Sequence, residues 1–116
     1  MDVIRHTADH EDATVVTVVG ELDAVSAPAL DEALSTALTD APTCLIVDLG
    51  GVDFMDSTGL GILIKAARQA GELGTGFALV VTSPRVRKLL TITGMVGPLA
   101  VSDSMTSAMA TCGLRP

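Results

Sequence analysis

The sequence predicts an α/β fold, a mixed and largely parallel sheet of four to five strands with about four helices packed on it. Three observations carry this. Aliphatic and β-branched runs of strand length recur along the 116 residues. Between them lie stretches whose apolar residues repeat at helical spacing. Short connections rich in Gly, Pro, Ser and Asp separate the two kinds in the order β-β-α-β-α-β-α-β-α. Alternation of that kind joins parallel strands through crossover helices.

Residues 3–8 read as a weak edge strand. Thr14-Val15-Val16-Thr17-Val18-Val19 is a strand by its β-branched content, and it ends at Gly20-Glu21-Leu22-Asp23. A helix follows: Ser26 is placed to cap it, Pro28 fits its first turn, and Asp31 and Glu32 favour its positive end. Ala27, Leu30, Leu34, Ala37 and Leu38 form its inner stripe, and Pro42 stops it. Cys44 to Leu49 does not alternate, which marks a strand buried on both faces. Gly50-Gly51 is expected to turn the chain. A second helix runs from near Ser57 to about Ala70, with Leu60, Leu63, Ile64 and Ala67 inward and Gly71 and Gly74 at its exit.

Residues 76–82 make the next strand. Ser83-Pro84, a cap and then proline at the first helical position, opens a short helix. It carries Val86, Leu89 and Leu90 inward and closes near Gly94. Leu99-Ala100-Val101 is a brief strand, and Ser102 or Asp103 caps a last helix with Met105, Ala108, Met109 and Cys112 inward. No linker, low-complexity tract or internal repeat interrupts this order, so residues 1–116 read as one domain.

Composition narrows the function. The chain is 48% hydrophobic and carries a net charge of −7, with two Phe and neither Trp nor Tyr. An acidic surface repels phosphate backbones, and without aromatic rings there is little for bases to stack on. Direct nucleic-acid binding is therefore excluded. Cys44 and Cys112 make neither a metal site nor a disulfide framework. Cys44 reads as a small buried hydrophobe, and a reducing compartment suits both. The N-terminus lacks the apolar region of a signal peptide, and no apolar run is long enough to span a bilayer. A packed core in a cytoplasmic protein, with no membrane partner, is the expectation from a mean hydropathy of +0.53.

The informative stretch runs from Val47 to Leu63, through Asp53-Phe54-Met55-Asp56-Ser57-Thr58-Gly59-Leu60-Gly61. It leads from a buried strand, through an acidic loop, into a helix start. Flanking glycines keep Ser57 sterically open to a protein kinase. A phosphoserine adds roughly −1.5 to −2 charges. A helix N-terminus, with its unpaired N–H groups and positive dipole end, accepts them best. Asp53 and Asp56 are already negative nearby. Asp-Ser before a helix is equally an ordinary cap and turn, and residue types alone favour that plainer reading.

The stretch from Asp48 to Leu63 resembles the signature of the STAS domain, the family of sulphate-transporter tails and anti-sigma factor antagonists. Asp56-Ser57-Thr58-Gly59-Leu60-Gly61 resembles the antagonists' phosphorylation loop. Gly20-Glu21-Leu22-Asp23 before a helix with Ala27-Pro28, and Asp103-Ser104 at the last helix, fit the same order over about residues 3–112. The resemblance implies partner switching. The unphosphorylated protein binds an anti-sigma factor that is also a serine kinase and so frees a sigma factor. Phosphorylation of Ser57 ends the complex, and a serine phosphatase resets it. The implied partner surface takes in Asp23, Asp53, Asp56 and Ser57 with Thr58, Gly59 and Leu60. Asp23 is equally a turn or cap residue. The chain needs no cofactor of its own, since the kinase holds the ATP.

Other readings are weaker. His6 and His10 are the only histidines, and no Gly-x-Ser-x-Gly elbow is present, so a small hydrolase has little support. Gly71-Glu72-Leu73-Gly74-Thr75-Gly76 lies at a helix exit, where phosphates gain nothing from the dipole. Arg85, Arg87 and Lys88 read as a solvated helix face. The alternative is a STAS module serving a stress-sensing or transport complex.

Overall fold

Successive residues of a strand point to opposite faces of its sheet, and the central strand of this protein is apolar in both registers. Its two faces therefore each demand a cover. In a computed structural model, which describes residues 2–7 and 13–112, five strands form one sheet. They are β1 (Asp2–Thr7), β2 (Ala13–Leu22), β3 (Cys44–Met55), β4 (Gly76–Val80) and β5 (Val101–Ser102), side by side in that order. β1 pairs antiparallel with β2, and the other neighbours are parallel. The helices are α1 (Ala27–Thr39), α2 (Ser57–Leu73), α3 (Pro84–Ile92) and α4 (Met105–Thr111). This is the mixed, largely parallel α/β fold expected.

Leu45, Val47 and Leu49 of β3 face a core built with Leu30 and Leu34 of α1, Leu60 and Leu63 of α2, and Val86 and Leu90 of α3. Cys44 and Ile46 point the other way, into a smaller core with Ala78, Val80 and the α4 residues Ala108 and Met109. The inner stripe expected of α1 is buried at all five positions. On α2 the stripe is rotated: Ala66 and Ala70 are buried, and Ile64 and Ala67 are only half-buried. Leu89 of α3 is likewise half-buried.

Several expected boundaries are corrected. Gly50-Gly51 do not turn the chain. β3 continues through them to Met55 because β2 runs on to Leu22 and offers a partner for its backbone. Two register shifts, between Thr17 and Val19 and between Gly20 and Glu21, take up the extra β3 residues as bulges. A side chain at Gly51 would place its Cβ 2.9 Å from Val19 Cγ2, so glycine there admits close strand approach. α2 continues past Gly71 to Leu73 and stops at Gly74, which adopts the left-handed conformation with φ 72°. Ser26 does not cap α1 with its side chain, and Asp31 and Glu32 lie beyond the first turn. Asp31 instead pairs with Lys65 of α2 at 3.1 Å. Ser104, not Ser102 or Asp103, caps α4 by accepting from the Ser107 N–H at 3.1 Å.

The two cysteines are also corrected. Cys44 and Cys112 form a disulfide, Cα atoms 5.9 Å apart and 68 residues apart in sequence. Sequence spacing carried no hint of it, because the pair meets only when α4 folds back across the start of β3. While oxidised, the bond closes a loop of this size and, in the chain-entropy account, stabilises the fold by about 4 kcal/mol; a reducing compartment would open it. His10 lies outside the described residues, and of His6 only the backbone is described. Among the described residues no helix is long and apolar enough to cross a membrane.

Candidate functional site

The site forms where two extended strands end together. Leu22 and Met55 close the β2–β3 register. Immediately beyond, the Asp56 N–H donates to the Leu22 carbonyl at 3.1 Å. Asp56, in extended conformation, is the N-cap of α2: its Oδ1 accepts from the Thr58 N–H at 3.0 Å and the Gly59 N–H at 3.1 Å. Ser57 is therefore the first helical residue, and both it and Thr58 are exposed. Gly59 and Leu60 are buried, so they shape the corner and offer no side chain to a partner. A Cβ on Gly59 would lie 2.6 Å from Leu22 Cγ and 2.9 Å from the Leu22 carbonyl oxygen. Only glycine lets α2 begin this close to the end of β2.

Asp23 organises the neighbouring turn. Its Oδ1 accepts from the N–H groups of Val25 (3.0 Å) and Ser26 (3.1 Å) and from the Ser26 hydroxyl (3.2 Å). Ser26 Oγ also donates to the Glu21 carbonyl at 2.8 Å and accepts from the Asp23 N–H at 2.9 Å. Of the two roles open to Asp23 in the sequence, the geometry displays the turn. The Ser26 N–H is the main reason its carboxyl sits below its ordinary value. Burial opposes this as the next largest effect, and the Ser26 hydroxyl and the Val25 N–H add to the lowering.

A depressed folded value means the carboxylate stabilises the fold above the unfolded value and ceases to as pH falls through the folded one. On acidification below about pH 4, the wild type is expected to lose more stability than Asp23→Asn, which cannot titrate. Urea midpoints at neutral and acid pH measure the difference, and equal losses would remove Asp23 from the acid limb.

Asp53 is exposed and accepts from the Ser83 hydroxyl at 3.1 Å. Ser83 in turn caps α3, accepting from the Val86 N–H at 3.4 Å. The end of β3 is thus tied to α3, a link invisible in sequence because the residues are 30 apart. Sequence reasoning also passed over Glu21, Val25 and Phe54. Glu21 and Phe54 are register partners, both exposed. Val25 stands 91% exposed at the tip of the Asp23 turn. The available signal was that Val25 falls outside the α1 stripe and Phe54 sits among acids.

Ser57 and Thr58 stand on exposed surface. A shallow hollow of about 310 Å³, lined by Ser35, Leu38, Thr39, Gln69, Glu72 and Leu73, lies at the far ends of α1 and α2. It is roughly 18 Å along the helix from Ser57. Among the described residues no cluster of three His, Cys, Asp or Glu side chains is placed to hold a metal ion.

A sheet whose strands and crossover helices follow in this order has counterparts among known proteins. The STAS domain family model matches residues 5–108. The chain belongs to the STAS domain family. Among STAS relatives, the anti-sigma-F factor antagonist RsfB of Mycobacterium tuberculosis is 34% identical over 88 residues, 76% of this chain and 71% of that protein. An anti-sigma factor antagonist from Mycobacterium paratuberculosis superposes with a TM-score of 0.86 at 32% identity, covering 97% of this chain and 95% of that one. The Bacillus cell fate determinant SpoIIAA in its phosphorylated form superposes with a TM-score of 0.69 at 25% identity, covering 90% and 92%.

Proposed function

We propose that this STAS protein is an anti-sigma factor antagonist, a single-domain, non-enzymatic switch of the cytoplasm. Its unphosphorylated form binds an anti-sigma factor that is also a serine kinase, freeing a sigma factor. Phosphorylation of Ser57 by that kinase ends the complex, and a serine phosphatase restores it. The observation that carries this reading is the exposed Ser57 hydroxyl at the first position of a 17-residue helix whose cap, Asp56, is already satisfied. A kinase reaches such a hydroxyl without unfolding anything. The added charge falls at the positive end of the helix dipole. Two further facts support it: relatives covering most of the chain are named antagonists, and SpoIIAA exists in a phosphorylated form.

The test is phosphate transfer. Purified protein is incubated with labelled ATP and the anti-sigma kinase of the same organism. Wild type is expected to take up about one phosphate per chain, and Ser57→Ala none, while Ser57→Ala still binds the kinase. Label persisting in Ser57→Ala would move the site, with Thr58 the first residue to examine. No label in wild type would overturn the switch.

A further inference from the structure

We propose that Val25 is an apolar anchor for the anti-sigma kinase, seated in an apolar socket that Lys and Arg side chains of the kinase surround. This rests on the antagonist reading above and names the contact that sets the strength of the complex.

The turn at 23–26 inverts the usual economy of a surface turn. Its polar side chains, Asp23 and Ser26, are spent on the turn's own backbone. The side chain projected into water is Val25, at 91% the most exposed of the large apolar residues described. No charged residue occurs from Ala24 to Leu30, and Ala24, Pro28 and Ala29 are exposed beside it. A rigid, uncharged patch of this kind on a chain of net charge −7 is the composition of an interface centre rather than of ordinary surface.

The turn is joined to the start of α2 through buried Leu22. Leu22, directly before the turn, accepts from Asp56 and packs on Gly59. Exposed Glu21 and Asp53, with half-exposed Asp56, lie at the strand ends on the other side of this junction. The Lys65–Asp31 pair links the two helices further along. An apolar centre with an acidic margin calls for a partner with an apolar socket and a basic margin. Because the turn is held by its own hydrogen bonds, little conformational freedom is lost when Val25 is covered. The position also sharpens the switch: a phosphate on Ser57 would have to be desolvated beside an apolar contact, where water cannot screen it.

The kinase that labels Ser57 in the transfer experiment is titrated against wild type, Val25→Ala, Val25→Glu and Thr106→Ala. Thr106 is an exposed residue of α4, on the opposite side of the sheet. Val25→Ala is expected to bind about tenfold more weakly, mainly through faster dissociation. Val25→Glu is expected to bind at least about 100-fold more weakly, since a charge enters the socket. Thr106→Ala matches wild type, and all four melt together. If Val25→Ala binds as wild type does while Ser57→Asp still blocks binding, the anchor is wrong and the antagonist reading stands. If wild type forms no complex, both fall.

Discussion

Ser57→Asp is expected to weaken the complex with the anti-sigma kinase by roughly 30-fold or more while leaving the melting temperature almost unchanged. The two halves of this result have separate causes. A charge buried without a partner at an interface costs on the order of 2–5 kcal/mol, and about 1.4 kcal/mol is a factor of ten in affinity. Aspartate carries one charge where phosphate carries nearly two, so the substitution gives the smaller end of the effect. Inside the protein the same charge is tolerated. Position 57 is the first residue of α2, exposed, with the cap hydrogen bonds made by Asp56 and not by Ser57. A carboxylate in the first turn of a helix is worth about 0.3–1 kcal/mol in its favour, partly offset by the neighbouring Asp56. Calorimetric titration and thermal melts on one preparation read both halves. A fall in melting temperature of more than about 5 °C, equivalent to roughly 1 kcal/mol here, would show that the charge disturbs the fold and that loss of binding is indirect.

The second large effect separates two glycines of the same helix. Gly59→Ala is expected to destabilise the protein by about 1–3 kcal/mol, the usual cost of overpacking. Gly61→Ala is expected to stabilise it by about 0.5–1 kcal/mol through helix propensity alone. A Cβ at Gly59 would come within 2.9 Å of the Leu22 carbonyl oxygen, backbone that cannot swing aside, and within 2.6 Å of Leu22 Cγ. At Gly61 nothing lies within 4 Å. Denaturant midpoints of the two variants should move in opposite directions. A neutral Gly59→Ala would mean that α2 can start further from β2 than it does. Since Leu22 leads straight into the Val25 turn, Gly59→Ala should also weaken the kinase complex, whereas Gly61→Ala tests only whether added bulk on the exposed first turns matters.

The α/β class, the order of nine elements and most of the core were legible because periodicity is a local property. Ala27, Leu30, Leu34, Ala37 and Leu38 declare one face of a helix without reference to anything else, and all five are buried. Ser57 was legible in the same way, since a serine between Asp56 and Gly59 at a helix start is a local pattern. Features that depend on a second segment were not. Gly50-Gly51 looked like a turn, and β3 passes through them because β2 extends alongside. Ser26 looked like a cap, and its hydroxyl is taken by Glu21 and Asp23 across the turn.

By itself, then, the sequence determined the order of helices and strands, the buried face of α1, and that Ser57 stands at a helix start. Tertiary structure alone decided what surrounds that position. Pairing of Leu22 with Met55 brings the Asp23 turn to the start of α2. The return of α4 joins Cys44 to Cys112 across 68 residues, and Asp53 reaches Ser83 of α3. Local pattern reports the free-energy preference of one segment for helix or strand. Contacts between segments are set by how the whole core packs, and no window of sequence contains both partners.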